Sequence, residues 1–419
     1  MFLIYAAIRA IGGDGILAYQ VVATLFAALT AWCVARIARH VAPPGAAILA
    51  GLVYIVYLSV NGGDGGQSPV FYNLPVALAA SCVVATYRRP RFDRIAYGLS
   101  CLAMALCGLA LQIKYSVLFE GMFFGLALVA RALRSGISPP AAGAAALSWC
   151  LIALLPTAAV VAFYWHIGAL DTLLFANFQS VFLRQPPDAA LMIARLALIG
   201  LHLLPIAIVA ACALPRIRRV RPIGPLLAGW TAAAIAGLLV FGTYFDHYAL
   251  PLVLPLSILA APLLARRIGR VPVAVPVILI GLAYVAINTA VLRTTRGDGE
   301  GARRLAARIG RSPAGCLFVF QGDPILYQLT RSCIPTAYNF PTFLSETGDS
   351  RTTGIDPHAE LRRVMAARPA YVVISSVDPA VTDRAAYDFV QRDLERHYRL
   401  VDRSVLSERI DRLYAHVAD

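Results

Sequence analysis

Lys114 is the only lysine in a chain that carries 36 arginines. Two readings fit it. A bias against lysine from nucleotide composition leaves one by chance, or a compact ammonium point charge is kept there to bind a phosphate. Its setting, Leu111-Gln112-Ile113-Lys114, ends an apolar helix and suits a cavity open to the outer leaflet. The segment Thr243–Pro255 brings Asp246, His247 and Tyr248 to the mouth of another apolar run that holds two prolines. Tyr and His there either anchor the interface or line a substrate cavity, and proline is tolerated where neighbours satisfy the freed carbonyls. Asp64 sits in Asn61-Gly62-Gly63-Asp64-Gly65-Gly66-Gln67. Glycines let backbone approach a ligand, but they also make plain turns, and the turn reading is preferred. Trp165, His166, Phe175, Phe178, Phe182 and Arg184 lie in a stretch over 165–190 that rests in the interface or forms one wall of a sugar or lipid site.

Those residues stand out because their surroundings are so apolar. The 419-residue chain is 59% hydrophobic and 14% charged, with mean hydropathy +0.69. A soluble protein is typically about 25% charged. Apolar runs long enough to span a bilayer predict ten membrane helices, near 16–35, 46–60, 70–87, 95–112, 116–132, 142–164, 191–214, 224–242, 247–265 and 272–291. The second is the shortest. Met1–Ile11 is too short to span, and the adjoining Gly12-Gly13-Asp14-Gly15 is no signal-peptide cleavage site. An ionisable residue in or beside such helices is a functional candidate by default. On one side the acids are Asp14, Asp64, Asp171, Asp188 and Asp246, with Glu120 a little inside a helix. The bases there are Arg9, Lys114, Arg184 and Arg195.

Loop charge alternates. Of the 19 basic residues before position 293, 15 fall in one set of loops: Arg36 and Arg39, Arg88–Arg94, Arg131 and Arg134, Arg216–Arg221, and Arg266–Arg270. The excess of Arg places that set in the cytoplasm. Met1 and the C-terminal tail then lie on the outer face, periplasmic in a bacterial inner (plasma) membrane. Residues 293–419 carry 18 basic and 16 acidic side chains, an ordinary water-soluble surface. The expected division is therefore a transmembrane domain over 1–292 and a soluble extracytoplasmic α/β domain over 293–419. In the tail, strands are expected over Cys316–Gln321, Arg331–Tyr338 and Ala370–Ser376, with one or two more at the end. Helices are expected after Asp323-Pro324, over Pro357–Ala367 and over Asp383–His397. The basic excess is dispersed through loops, not clustered on a soluble face, so no nucleic acid is expected.

Six of the eight cysteines fall in apolar helices. Cys316 and Cys333 lie in the tail, where each begins an apolar run, the two runs being joined by one short helix. A disulfide between them is expected, since an oxidising compartment permits it. No CxxC or Cys/His cluster suggests a metal site.

In order along the chain, four segments resemble the GT-C polytopic glycosyltransferases, closest to the protein O-mannosyltransferase-like and aminoarabinose-transferase-like (RgtA/B/C/D-like) group. They are Phe2–Ile8 with Gly12 or Gly13, Leu111–Lys114, Phe245–Pro255 and Phe318–Tyr327. The resemblance implies a sugar (hexosyl or pentosyl) taken from a polyprenyl-phosphate carrier and passed to a lipid, cell-envelope glycan or protein acceptor. It implies basic residues on the carrier phosphate, with Lys114 first, Asp246 and His247 nearby and Arg184 a second contact. No cofactor or nucleotide sugar is implied, in keeping with the lack of a Gly-rich dinucleotide fingerprint. In that family an acid in the first outer loop orients or deprotonates the acceptor. Here Met1 already matches the family's segment beyond that loop, so the chain is expected to lack the family's first helix and loop. The catalytic residue is unassigned, and Asp64 is a weak substitute. The alternatives are a transporter or flippase of lipid-linked sugars, which would show an internal inverted repeat, and a non-catalytic membrane scaffold. No repeat is visible.

Overall fold

The computed structural model describes residues 2–13, 15–183, 188–240, 243–295, 299–376, 381–406 and 409–417. Arg184 and Asp14 lie outside them. In chain order the helices are α1 (Phe2–Gly12), α2 (Ile16–Ala38), α3 (Pro44–Val60), α4 (Ser68–Arg88), α5 (Arg94–Leu111), α6 (Leu118–Arg134), α7 (Pro139–His166), α8 (Leu170–Leu174), α9 (Ser180–Leu183), α10 (Ala189–Ile217), α11 (Ile223–Val240) and α12 (Leu250–Leu264). The pair β1 (Arg267–Ile268) and β2 (Val271–Pro272) precedes α13 (Ala274–Thr295). Then come α14 (Gly299–Ile309), β3 (Leu317–Val319), α15 (Ile325–Thr330), α16 (Thr342–Ser345), α17 (Thr347–Ser350), α18 (Pro357–Ala366), β4 (Tyr371–Ile374), α19 (Arg384–His397), β5 (Tyr398–Leu406) and β6 (Arg409–His416).

A helix stands at each of the ten expected spans. By length and composition, nine segments among the described residues can cross a membrane. The exception is α3, 17 residues long, which is short for the purpose and is largely buried among other helices. The chain is an integral membrane protein with a small C-terminal α/β region.

Two compact units form, Met1–Phe163 with Pro186–Val285, and Tyr164–Gln185 with Ala286–Asp419. In the first, α12 is the most enclosed helix and packs on α10, α3, α11, α2 and α4. Its Pro251 falls in the first turn, where a missing N–H costs no helical bond. Buried Asn73 of α4 ties the centre together. Its Nδ2 donates to the Leu250 carbonyl at 3.1 Å and to Tyr54 Oη of α3 at 3.2 Å. Small residues let backbones meet without the help of a hydrophobic drive between helices. A Cβ on Gly51 would come within 2.8 Å of the Ala31 carbonyl oxygen, and one on Gly108 would strike the Ala153 carbonyl. By contrast α7 and α13 expose most of their apolar surface, as helices facing lipid do.

The second unit holds a four-stranded sheet in the order β3-β4-β6-β5, with β3 and β4 parallel and the remaining neighbours antiparallel. Alternation along β3 serves two cores. Phe318 and Phe320 pack with Leu361, Val364, Val390 and Leu394 of α18 and α19. Leu317 and Val319 pack with Leu305, Ile309 and Leu326 of α14 and α15. Both faces are covered, which explains the near-continuous apolar run. Helices near 170–183 join this unit, and the ring of Phe175 closes on Gly354, where a Cβ would come within 2.7 Å of Cζ. The strand expected over Arg331–Tyr338 does not form. Ser332 Oγ accepts from the Leu317 amide at 2.7 Å, so a side chain takes the ladder's place, and Pro335 has no N–H to donate. Cys316 and Cys333, with Cα atoms 4.8 Å apart, are joined as a disulfide.

Candidate functional site

Lys114 is placed by a turn that two helices stabilise. After α5 ends, the Ile113 and Lys114 amides both donate to the Ala110 carbonyl, at 3.0 and 3.2 Å. Gln112 Nε2 reaches across to Thr157 Oγ1 of α7 at 2.8 Å. The chain then reverses through a short 3-10 turn, Tyr115–Val117, into α6. Lys114 is thereby presented sideways, half-buried, on the wall of a narrow cavity.

Six elements build that cavity, Pro251 of α12 among them. Tyr72 comes from α4, Lys114 and Ser116 from the turn, Glu120 from the start of α6, Gly237 from α11, and Tyr248 from the turn before α12. Lys114 Nζ lies 3.7 Å from the centroid of the Tyr248 ring, a cation–π contact. No carboxylate pairs with this ammonium among the described residues. Burial disfavours its charged form and pushes its pKa down to about 8. A buried cation with an aromatic face and no anion is poised to gain from an anionic ligand.

The contact chain continues beyond the cavity. The His247 ring meets Tyr248 edge-on at 4.9 Å and stacks on Phe245 at 5.9 Å. The Arg195 guanidinium lies 4.4 Å over Phe245 and donates to the Thr243 carbonyl at 3.1 Å. Two cations, Lys114 and Arg195, thus bracket a row of three rings in contact. Asp246, half-buried in the same turn, is within electrostatic range of His202 on α10 and Tyr284 on α13.

The deep wall is the part least marked in the sequence. Glu120 is 2% exposed, and its Oε1 accepts from Trp230 Nε1 of α11 at 2.6 Å. Tyr72 Oη lies 3.4 Å from Ser116 Oγ. The available signal for Glu120 was a carboxylate one turn inside an apolar helix. Nothing in the sequence marks Trp230 as its hydrogen-bond donor or Tyr72 as its cavity neighbour.

Asp64 is exposed and accepts from Ser59 Oγ at 2.6 Å. Its glycines make a compact turn, with Gly62 and Gly66 in the left-handed region. The Tyr19 hydroxyl donates to the Gly66 carbonyl, and a Cβ on Gly66 would come within 2.7 Å of that hydroxyl. Among the described residues no group of three or more His, Cys, Asp or Glu side chains could hold a metal ion.

No protein-family model and no curated protein matches the chain. Among solved structures it is similar to the crystal structure of ArnT from Cupriavidus metallidurans bound to undecaprenyl phosphate. The TM-score is 0.63 at 14% identity, and the match covers 99% of this chain and 86% of that one. An identity this low speaks to architecture alone, and the architecture is a polytopic helical bundle with a small C-terminal α/β region.

Proposed function

We propose that the chain is a glycosyltransferase that takes a sugar from a polyprenyl-phosphate carrier and passes it to a lipid, cell-envelope glycan or protein acceptor on the outer face of the membrane. The observation that carries this reading is Lys114, the single lysine, held on a cavity wall with no carboxylate partner among the described residues. Its setting is a fold like that of a protein crystallised with undecaprenyl phosphate. In transfer, the acceptor's nucleophilic atom forms a bond to the anomeric carbon and loses its proton. The bond from that carbon to the phosphate oxygen breaks, and the carrier phosphate leaves with added negative charge. Lys114 would hold that phosphate and meet the charge as it develops, the main electrostatic task of such a site. Tyr248 and His247 would form the platform beside it, with Asp246 in the same turn. Arg184 is proposed as a second phosphate contact and Asp64 as a weak candidate for the base. The tail, taken as a domain over 293–419 after a transmembrane domain over 1–292, is proposed to lie in the periplasm. A Cys316–Cys333 disulfide supports an oxidising compartment.

Purified protein in nanodiscs should bind undecaprenyl phosphate, measured by native mass spectrometry, and transfer label from a polyprenyl-phosphate-linked sugar. Lys114→Ala should weaken the binding and lose the transfer. Unchanged carrier binding in that variant would remove the basis of this reading.

A further inference from the structure

We infer that the Arg-rich end of the helical bundle carries a separate binding site for an anionic phospholipid. A groove opens there between the start of α5, the end of α6 and the start of α7, spanning about 860 Å³ counted to its open mouth. Phe92 and Tyr97 line it with aromatic rings, and Ala132, Ala141, Ala144 and Ala145 line it with methyl groups. Small side chains leave width for a flexible chain, and the Tyr97 hydroxyl is already hydrogen-bonded to Ser148 Oγ at 2.8 Å. Behind the aromatic pair stands Trp149, with ring centroids 6.1 Å from Phe92 and 6.2 Å from Tyr97. It is 1% exposed, and its indole Nε1 has no hydrogen-bond partner among the described residues.

The rim carries the charge. Asp93 and Arg94 lie at the mouth of the groove. Asp93 is already satisfied, because it ion-pairs with Arg89 and its Oδ1 caps α5 by accepting from the Ala96 amide at 2.9 Å. Arg131 is drawn into the same corner, donating to the Arg89 carbonyl and to Ser135 Oγ. Arg91 and Arg94 remain exposed, and no carboxylate pairs with either among the described residues. The site thus joins an apolar slot to a surplus of guanidinium groups at the end of membrane-crossing helices. A basic pocket between such helices selects lipids with a net negative headgroup. An acyl chain would lie along the alanines while the headgroup phosphate meets Arg91 and Arg94. Because only the groove and its rim are invoked, the inference holds in whichever leaflet that end lies.

The test compares full-length protein in nanodiscs of phosphatidylcholine alone with nanodiscs that also contain phosphatidylglycerol. Native mass spectrometry after detergent release counts the phospholipids retained. Wild type should retain phosphatidylglycerol preferentially, and millimolar inorganic phosphate should not displace it. Each arginine at a membrane surface contributes about fivefold, so Arg94→Gln should lower retention about fivefold, and Arg91→Gln with Arg94→Gln about 25-fold. Ala144→Leu should fill the slot and lower retention of phosphatidylglycerol with the arginines intact. If that variant does not fold, the exposed arginine pair carries the test alone. Equal retention of the two lipids by wild type, displacement by free phosphate, or undiminished phosphatidylglycerol in the double arginine variant would each overturn the inference.

Discussion

Lys114 Nζ lies 3.7 Å from the centroid of the Tyr248 ring, although one residue comes after α5 and the other precedes α12. The ring holds the ammonium in place without neutralising it, so the charge stays available to a ligand. If it binds the carrier phosphate, removing it deletes a charge-assisted hydrogen bond worth about 1.5–3 kcal/mol. Lys114→Ala should therefore weaken undecaprenyl phosphate binding roughly 10–100-fold. Tyr248→Phe keeps the aromatic face and should cost far less than Tyr248→Ala. Titration of each variant with the carrier in nanodiscs checks the order, and equal loss from the Phe and Ala variants would show that the hydroxyl, not the ring face, matters.

The low pKa of Lys114 gives the site a pH dependence. Burial holds the ammonium near pKa 8, and the phosphate prefers the charged form. Carrier affinity should be level between about pH 7 and 8, where the phosphate with its second pKa near 6 is a dianion, and fall as pH rises through 8, approaching tenfold per pH unit where the neutral amine dominates the free protein. Arginine stays protonated throughout this range. In Lys114→Arg the alkaline limb should vanish even if affinity at pH 7 drops. An alkaline limb of unchanged position in Lys114→Arg would assign the titration to another group.

Half of this site was legible beforehand, and the reason is rarity. A lone lysine beside an apolar helix, and an Asp-His-Tyr cluster at a helix mouth, stand out against a chain of few charges. Their meeting was expected only through the family resemblance, since no spacing within the sequence shows how α4, α5, α6, α11 and α12 pack together. Glu120 was visible as a carboxylate inside an apolar helix, but Trp230 and Tyr72 have ordinary side chains for such helices and acquire meaning only through pairing. The helices themselves read well because membrane length and hydropathy dictate them. In the tail, β3 and β4 read as apolar runs, while the segment near 331–338 failed as a strand because Ser332 and Pro335 settle its hydrogen bonding locally.

The Glu120–Trp230 pair predicts an asymmetric response. Trp230→Phe keeps an aromatic ring but removes the donor seen by Glu120 Oε1, leaving a buried acceptor unmet at about 1–3 kcal/mol and a small cavity that adds to the loss. Glu120→Gln retains a carbonyl oxygen to accept from Trp230 and should cost less. Thermal unfolding in detergent should rank wild type, Glu120→Gln and Trp230→Phe in descending order. A Trp230→Phe protein as stable as wild type would mean the hydrogen bond is not made in the membrane-mimetic environment.

The Cys316–Cys333 bridge spans 17 positions. A loop of that size contributes about 3 kcal/mol by restricting the unfolded chain. Replacing both cysteines with serine should therefore make the tail sensitive to limited proteolysis, and reductant should act on wild type in the same way. The same bridge bears on topology, because it needs an oxidising side of the membrane. Alkaline phosphatase fused after Asp419 should be active, while a cytosolic fluorescent reporter at the same point should stay dark. The reverse pattern would place the tail in the cytoplasm and refute the proposed side of the site.

Asp411 offers a test of the tail's own energetics. It lies on β6, is 1% exposed, and accepts a hydrogen bond from Ser375 Oγ. Gly322 crowds it, and a Cβ there would come within 2.9 Å of Oδ2. Burial pushes its pKa up to about 6, above the usual carboxylate value near 3.9. Between those values the folded tail holds a proton that the unfolded chain releases. The contribution of Asp411 to stability is thus most favourable below about pH 4, and it declines as pH rises to 6. Above that the full cost of a buried carboxylate remains, roughly 3 kcal/mol as an upper bound from the two-unit shift. Asp411→Asn keeps an oxygen for Ser375 and removes the charge. Amide hydrogen-exchange protection of the β4–β6 ladder should therefore rise in the variant at pH 7, with a much smaller difference from wild type at pH 4. A difference of the same size at both pH values would show that the substitution acts through packing and not through the proton.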